Sequence, residues 1–313
     1  MLVLDADQTR DALPFPALIE ALSAMFAGDC VMPVRHHHAV AVPGEEEATL
    51  LLMPAWQPGA HIGVKLVTVF PGNHRRALPA IFGSYLLSSG KTGELLAILD
   101  GGELTARRTA AASALAARHL ARPDSRRMLM VGAGRLSLNL IAAHSAVLPI
   151  GTVGIWARDA AKAEATAAQA RAQGFDAVAA PDLEAAARTA DLISCATLSD
   201  RPLVLGDWLK PGTHLDLVGA FKATMRETDD TAVLRSSLFA DTRAGVLGEG
   251  GDILQPLRAG LITADAIRAE LRDLVTGAHP GRRSAGEITL FKSVGAALED
   301  LAGAILAYRS RAG

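Results

Sequence analysis

The chain has 313 residues, half of them hydrophobic and a fifth charged, with a formal net charge of −2. That length supports two domains with substantial cores, and a near-neutral balance with no long basic run argues against nucleic acid or an anionic membrane as partner. Cys30 and Cys195 lack any metal or redox spacing, no apolar stretch is long enough to span a bilayer, and the N-terminus has no signal-peptide pattern, so a cytoplasmic protein is expected.

Phe15, Leu18, Ile19, Leu22 and Phe26 recur at helical spacing and predict a helix within residues 1–30. Strands are expected at 33–42, 48–56, 61–70, 80–88 and 95–100, separated by Pro43-Gly44, Pro58-Gly59, Thr92-Gly93 and, at the end, Gly101-Gly102. Consecutive strands with short turns imply a mostly antiparallel sheet. An alanine-rich helix is expected over 105–120, and Pro123-Asp124-Ser125 reads as a junction.

From Met128 the pattern changes. A buried strand at 128–131 runs into Gly132-Ala133-Gly134, and a helix follows over 136–147. Strands at 152–157, 177–180, 192–197, 213–218 and 237–240 alternate with helices at 159–173 and 182–189. This predicts an α/β fold, a Rossmann-type doubly wound parallel sheet. A helix near 263–274, a loop at 277–286 and a last helix from about Lys292 to Tyr308 complete the reading.

Strand, glycine turn and helix together suit a dinucleotide pyrophosphate, which the free N–H groups of a helix start stabilise. Ser137 stands where the third glycine of the fingerprint would be, so the motif is imperfect. The second strand ends Trp156-Ala157-Arg158-Asp159. In this fold an acid at that end binds the ribose of NAD and an Arg accommodates the 2′-phosphate of NADP. Ala157 at the acidic position with Arg158 beside it favours NADP(H). Asp159 reads either as the next helix's N-cap or, with a register shift, as an acid that leaves NAD(H) open. Arg135 is placed to touch a phosphate or to point into solvent.

Pro33-Val34-Arg35, Gly63-Val64-Lys65, Phe70-Pro71-Gly72-Asn73, the block at 95–120, the glycine turn, Leu217-Val218-Gly219-Ala220 and the stretch 287–300 occur in order. With these blocks the chain resembles the ornithine cyclodeaminase and μ-crystallin family nearly end to end. The resemblance implies a Rossmann NAD(P)-binding domain at 116–291. It also implies an α+β substrate-binding and dimerisation domain at 1–115 with 292–313, and a homodimer. It implies hydride exchange between a nicotinamide and the α-carbon of a small imino or amino acid, as in a ketimine or pyrroline-2-carboxylate reductase. The alternatives are an ornithine cyclodeaminase-type lyase releasing ammonia with bound NAD, and a non-catalytic NADP-binding protein.

By this resemblance Arg35 and Arg108 hold the substrate carboxylate, and Lys65 stands near carboxylate and nitrogen as a proton donor or acceptor. Cofactor contacts are expected from Thr109, Gly132, Ala133, Gly134, Arg135, Leu136, Arg158, Thr197, Val218, Gly219 and Ser293, although Thr109 suits helix packing and Ser293 helix capping equally. Phe221 falls where cyclodeaminases carry an Asp. It can neither transfer a proton nor pair with an ammonium, and is expected to line the substrate pocket; Asp216, Glu227, Asp229 and Asp230 are the nearby acids that would have to substitute. His36-His37-His38 lies in a strand, where neighbouring side chains alternate faces, and no metal is expected.

Overall fold

A computed structural model describes residues 1–312. The first elements are β1 (Leu2–Leu4), α1 (Ala6–Asp11), α2 (Phe15–Ala27), β2 (His36–Val40), β3 (Ala48–Gln57) and β4 (His61–Val69). A 3-10 turn, Pro71–Arg76, leads to β5 (Ile81–Ser89), β6 (Leu95–Asp100) and the long α3 (Gly101–Leu120). Strands and helices then alternate: β7 (Arg127–Val131), α4 (Ser137–Ser145), β8 (Thr152–Trp156), α5 (Ala160–Ala172), β9 (Ala177–Ala179), α6 (Leu183–Thr189), β10 (Leu192–Cys195) and β11 (His214–Leu217). The remainder is α7 (Asp230–Arg235), β12 (Ser237–Ala240), α8 (Arg243–Glu249), α9 (Gly251–Arg258), β13 (Ile267–Glu270), α10 (Leu271–Val275), β14 (Thr289–Lys292) and α11 (Ala297–Ala312). The chain divides into two compact units: Met1–Arg108 with the C-terminal stretch from Ala297, and Thr109–Ala296.

In the first unit the described strands form one sheet in the order β1-β6-β5-β4-β3-β2. Pairings from β2 through β6 are antiparallel, as short turns between consecutive strands require. β1 joins β6 in parallel, and its three residues are too few to show any alternation in sequence. α2 buries Phe15, Leu18, Ile19, Leu22, Met25 and Phe26 on one stripe, at about 1.5–3 kcal/mol for each large side chain. α11 lies against α2 and against β3, β4 and β5. α3 starts at Gly101 rather than at residue 105: the Asp100 carboxylate accepts the Glu103 N–H at 2.6 Å and nucleates the first turn over the two glycines.

In the second unit the described strands are all parallel, in the order β13-β12-β14-β11-β10-β7-β8-β9. From β7 the chain winds outward through β8 and β9, then returns to build β10 and β11 on the other side, so strand order reverses between β7 and β10. The core is the expected kind: Leu129, Val131, Ile193, Cys195, Leu215, Leu217 and Leu290 are buried between the sheet and its helices.

Two expectations fail here. Residues 263–274 do not form one helix; Ile267–Glu270 is a strand with alternating burial, Ile267 and Ala269 inward and Arg268 outward, followed by the short α10. Lys292 does not start the last helix. It ends β14, which inserts between β11 and β12, and α11 begins at Ala297.

Candidate active site

The glycine turn sits at the C-terminal end of β7, where strand order reverses. Gly132 adopts φ +120°, and a Cβ there would stand 2.7 Å from the Ala196 carbonyl, so only glycine fits. At Gly134 the space a Cβ would take is open. No side chain caps the start of α4; the Ser137 N–H donates to the Gly134 carbonyl at 3.1 Å, and the positive end of the helix dipole faces the turn, which suits an anion. Ser137 is buried and braces the turn: its hydroxyl donates to the Gly132 carbonyl at 2.9 Å and accepts the Gly134 N–H at 3.0 Å. The departure from the glycine fingerprint is thus an internal tie across the loop.

A cleft of about 360 Å³ opens here, lined by Gly132, Ala133, Gly134, Trp156, Arg158, Lys162 and Thr197 among others. A larger cavity, about 510 Å³, lies beside β12 and β13 and contains none of the turn's residues. At the end of β8, Asp159 caps α5: its carboxylate accepts the N–H groups of Ala161 at 3.0 Å and Lys162 at 3.3 Å. That leaves Arg158 and Lys162, both exposed, as the charged side chains lining this end of the cleft together with the capping acid. Turn, bare helix start and cations fit a dinucleotide.

Beyond β10 and β11 the chain gathers other expected residues. Thr197 donates through both its N–H and its hydroxyl to Glu227. Val218 and Gly219 are buried at the end of β11. Phe221 is 38% exposed, with the Lys222 ammonium 5.9 Å from its ring centre. Ser293 is buried after β14, and its hydroxyl donates to Asp241 at 3.1 Å. Asp241 also accepts the N–H groups of Val294 and Gly295, so Ser293 belongs to a braced turn. Thr109 is buried on α3.

The acids near Phe221 have other employment. Asp216 is fully buried and accepts from Ser113, Ser194 and the His144 ring. Asp229 caps α7 and Asp230 pairs with Arg226. Glu227 alone of the four meets the chain beyond both β10 and β11.

In the first unit Lys65 and Arg108 come together around two acids at the start of α11. Lys65 Nζ lies 2.7 Å from Asp300 Oδ2. Arg108 donates through Nε to Asp300 Oδ1 at 3.0 Å and through a terminal nitrogen to Glu299 Oε2 at 2.6 Å. All four are at least nine-tenths buried. Burial pulls the Lys65 ammonium down to about 8; Asp300 works against that and Arg108 with it. Burial opposes the charge on Arg108 too, yet Asp300 and Glu299 overcome it and hold the guanidinium charged. Asp300 stays below the usual carboxylate range because Arg108 and Lys65 outweigh its burial. Lys65 and Arg108 thus set two formal positive charges against the two negative ones of Glu299 and Asp300. Arg35 is half-buried just before β2, whose first residue, His36, pairs with Leu52, the neighbour of Lys65's cross-strand partner Met53. Glu299 and Asp300 were legible only as an acid pair in an apolar stretch.

His36, His37 and His38 are all exposed, and the described residues contain no group of three or more His, Cys, Asp or Glu able to hold a metal. No described helix is long and apolar enough to cross a membrane.

The sequence profile of the ornithine cyclodeaminase/mu-crystallin family matches residues 7–312. A Delta(1)-pyrroline-2-carboxylate reductase of Paracoccus denitrificans is 43% identical over 259 residues, 82% of each chain. The ketimine reductase mu-crystallin of Rattus norvegicus is 35% identical over 316 residues, covering 98% of this chain and 96% of its own. The solved structure of Thermococcus litoralis Delta(1)-pyrroline-2-carboxylate reductase, in complex with NADH and L-proline, superposes with a TM-score of 0.91 at 33% identity, covering 99% of this chain and 97% of that one.

Proposed function

The chain belongs to the ornithine cyclodeaminase/mu-crystallin family, and from that premise we propose that it is a nicotinamide-dependent reductase of cyclic α-imino acids of the Delta(1)-pyrroline-2-carboxylate class. The observation that carries this reading is the buried Lys65, paired with Asp300 beside Arg108. An ammonium whose pKa lies near 8 is an effective general acid near neutral pH.

Arg35 and Arg108 bind the substrate carboxylate, Arg108 being fixed in direction by Glu299 and Asp300. Lys65 donates a proton to the imine nitrogen, which receives the electron pair of the C=N π bond. The bound dihydronicotinamide supplies the hydride that the imine carbon accepts. Asp300 keeps Lys65 oriented, and the neutral amine left on Lys65 regains its proton from solvent. Phe221, an apolar ring in place of an acid, suits a cyclic imine and offers no base for deaminating ornithine.

Within the cofactor site we assign the pyrophosphate to Gly132, Ala133, Gly134 and the α4 start, flanked by Arg135 and Leu136. Thr109, Thr197, Val218, Gly219 and Ser293 fall to the nicotinamide side. NADP(H) is the preferred form: Arg158 and Lys162 offer charge-assisted bonds to a 2′-phosphate, and Asp159 is engaged as a cap. The first unit is the substrate-binding and dimerisation part. Ile62, Leu66, Ile81 and Phe82 on its sheet are exposed and apolar, which supports a homodimer.

Steady-state assays with NADPH and NADH against Delta(1)-pyrroline-2-carboxylate and its six-membered homologue test this. Cofactor oxidation matched by formation of the cyclic amino acid is expected. Ammonia release from ornithine without net cofactor change would replace it with a cyclodeaminase; cofactor binding with turnover of neither would leave a non-catalytic binding protein.

A further inference from the structure

Glu227 has no place in the chemistry just described, yet it is fully buried behind the dinucleotide cleft and accepts four hydrogen bonds. One carboxylate oxygen takes the Thr197 N–H at 2.7 Å and the Thr197 hydroxyl at 2.8 Å. The other takes the N–H of Gly219 at 2.7 Å and of Ala220 at 3.3 Å. These donors belong to the two segments that leave the adjacent strands β10 and β11. The segments are in close contact there: a Cβ on Gly219 would stand 2.0 Å from the Thr197 carbonyl oxygen. Thr197 in turn lines the cleft with Gly132, Gly134 and Arg158.

Three other groups bear on Glu227. Asp252 on α9 accepts the Glu227 backbone N–H at 2.7 Å. Lys292 at the end of β14 lies 3.1 Å from Asp252. Cys195 ends β10, and its buried thiol is kept protonated by burial first and by Glu227 next. The cluster thus holds two carboxyls against one ammonium.

We propose that Glu227 is a positioning residue of the dinucleotide site: it ties the ends of β10 and β11 together, fixes Thr197 at the cleft with Gly219 packed against it, and supports tight binding in its ionised form. This rests on the reading of the cleft as the dinucleotide site. A carboxylate offers about four acceptor positions and all are used. A proton on either oxygen places an O–H against incoming donors and removes one acceptor. Burial raises the Glu227 carboxyl above the usual carboxylate range, Lys292 opposing and Asp252 adding to the rise, so the tie takes up a proton at milder pH than an exposed glutamate would.

The test compares wild type with Glu227→Gln by fluorescence titration of NADH and NADPH between about pH 6 and about pH 8.5, with thermal melts alongside. Using the same ligand for both proteins cancels the ligand's own titration. Glutamine turns an NH2 toward N–H donors, so at the alkaline end its dinucleotide affinity is expected to be at least about ten-fold weaker. The wild-type affinity should rise several-fold with pH relative to the variant. Glu227→Asp keeps the charge on a stem too short to reach both segments; it should bind weakly while retaining the pH dependence, and it stands in if the glutamine variant does not fold. A folded Glu227→Gln protein that binds as tightly as wild type at the alkaline end overturns the proposal, as does an identical pH profile. A wild type that binds NADPH but reduces no imine removes the reductase reading and leaves this one standing. A wild type that binds neither dinucleotide overturns both.

Discussion

Asp300→Asn removes the charge that faces both Lys65 and Arg108 while keeping the size of the side chain. Lys65 Nζ stands 2.7 Å from the Asp300 carboxylate. At an effective dielectric of about 20, a unit pair at that spacing interacts by about 6 kcal/mol. The amide oxygen and solvent relaxation return part of this. A residual loss of about 3 kcal/mol corresponds to a fall of about two pKa units. The Lys65 ammonium, at about 8 in the intact protein, then titrates near pH 6. Because the protonated form is the acid, imine reduction is lost as pH rises through this pKa. The kcat/KM profile of the wild type should fall above about pH 8 and that of Asp300→Asn above about pH 6. The loss on mutation is therefore about two-fold at pH 6 and about fifty-fold at pH 8, measured below the variant's melting temperature. Equal loss at both pH values, or an unmoved alkaline limb, would refute the role given to the Lys65–Asp300 pair.

Three further expectations concern other residues. Ser137→Gly restores the glycine fingerprint but cuts the tie between Gly132 and Gly134; it should weaken NADPH binding several-fold and cost about 1 kcal/mol of stability, as read by titration and urea unfolding, and tighter binding would contradict the brace. Arg158→Ala should weaken NADPH by at least about ten-fold more than NADH, and an equal loss for both would remove Arg158 from the phosphate site. Leu66→Glu places a charge on the exposed apolar face of β4; light scattering after gel filtration should show a monomer, and an unchanged dimer would move the interface elsewhere.

Much of the fold was legible because it rests on short-range signals. The antiparallel meander declares its turns with Pro-Gly and Gly pairs, and β7 and β10 are largely apolar runs typical of buried parallel strands, while β11 interleaves the buried His214 and Asp216 with Leu215 and Leu217. β14 was hidden because Thr289–Lys292 pairs with strands some fifty and seventy residues upstream, and its final lysine looks like helix surface until Asp252 is seen beneath it. β13 was masked by helix-forming residues whose period is two only once burial is known.

The site divides the same way. Gly132 follows from a backbone requirement that sequence displays directly, whereas Ser137 looked like a defect because its partners are main-chain atoms of the same loop. Lys65 and Arg108 were read from the resemblance, but the state of their charges depends on Glu299 and Asp300, about two hundred residues away in sequence. Asp216, an acid near the site in sequence, proves to be sealed among Ser113, Ser194 and His144.

The central claim is hydride transfer to an imine carbon with a proton from Lys65. The most direct measurement follows deuterium from the transferable position of deuterated NADPH into the product of Delta(1)-pyrroline-2-carboxylate by mass spectrometry. One deuterium on the α-carbon of proline, with no ammonia released and with turnover lost in Lys65→Met, is the expected result. Proline formed without label, or ornithine deaminated with the cofactor label retained, would contradict it.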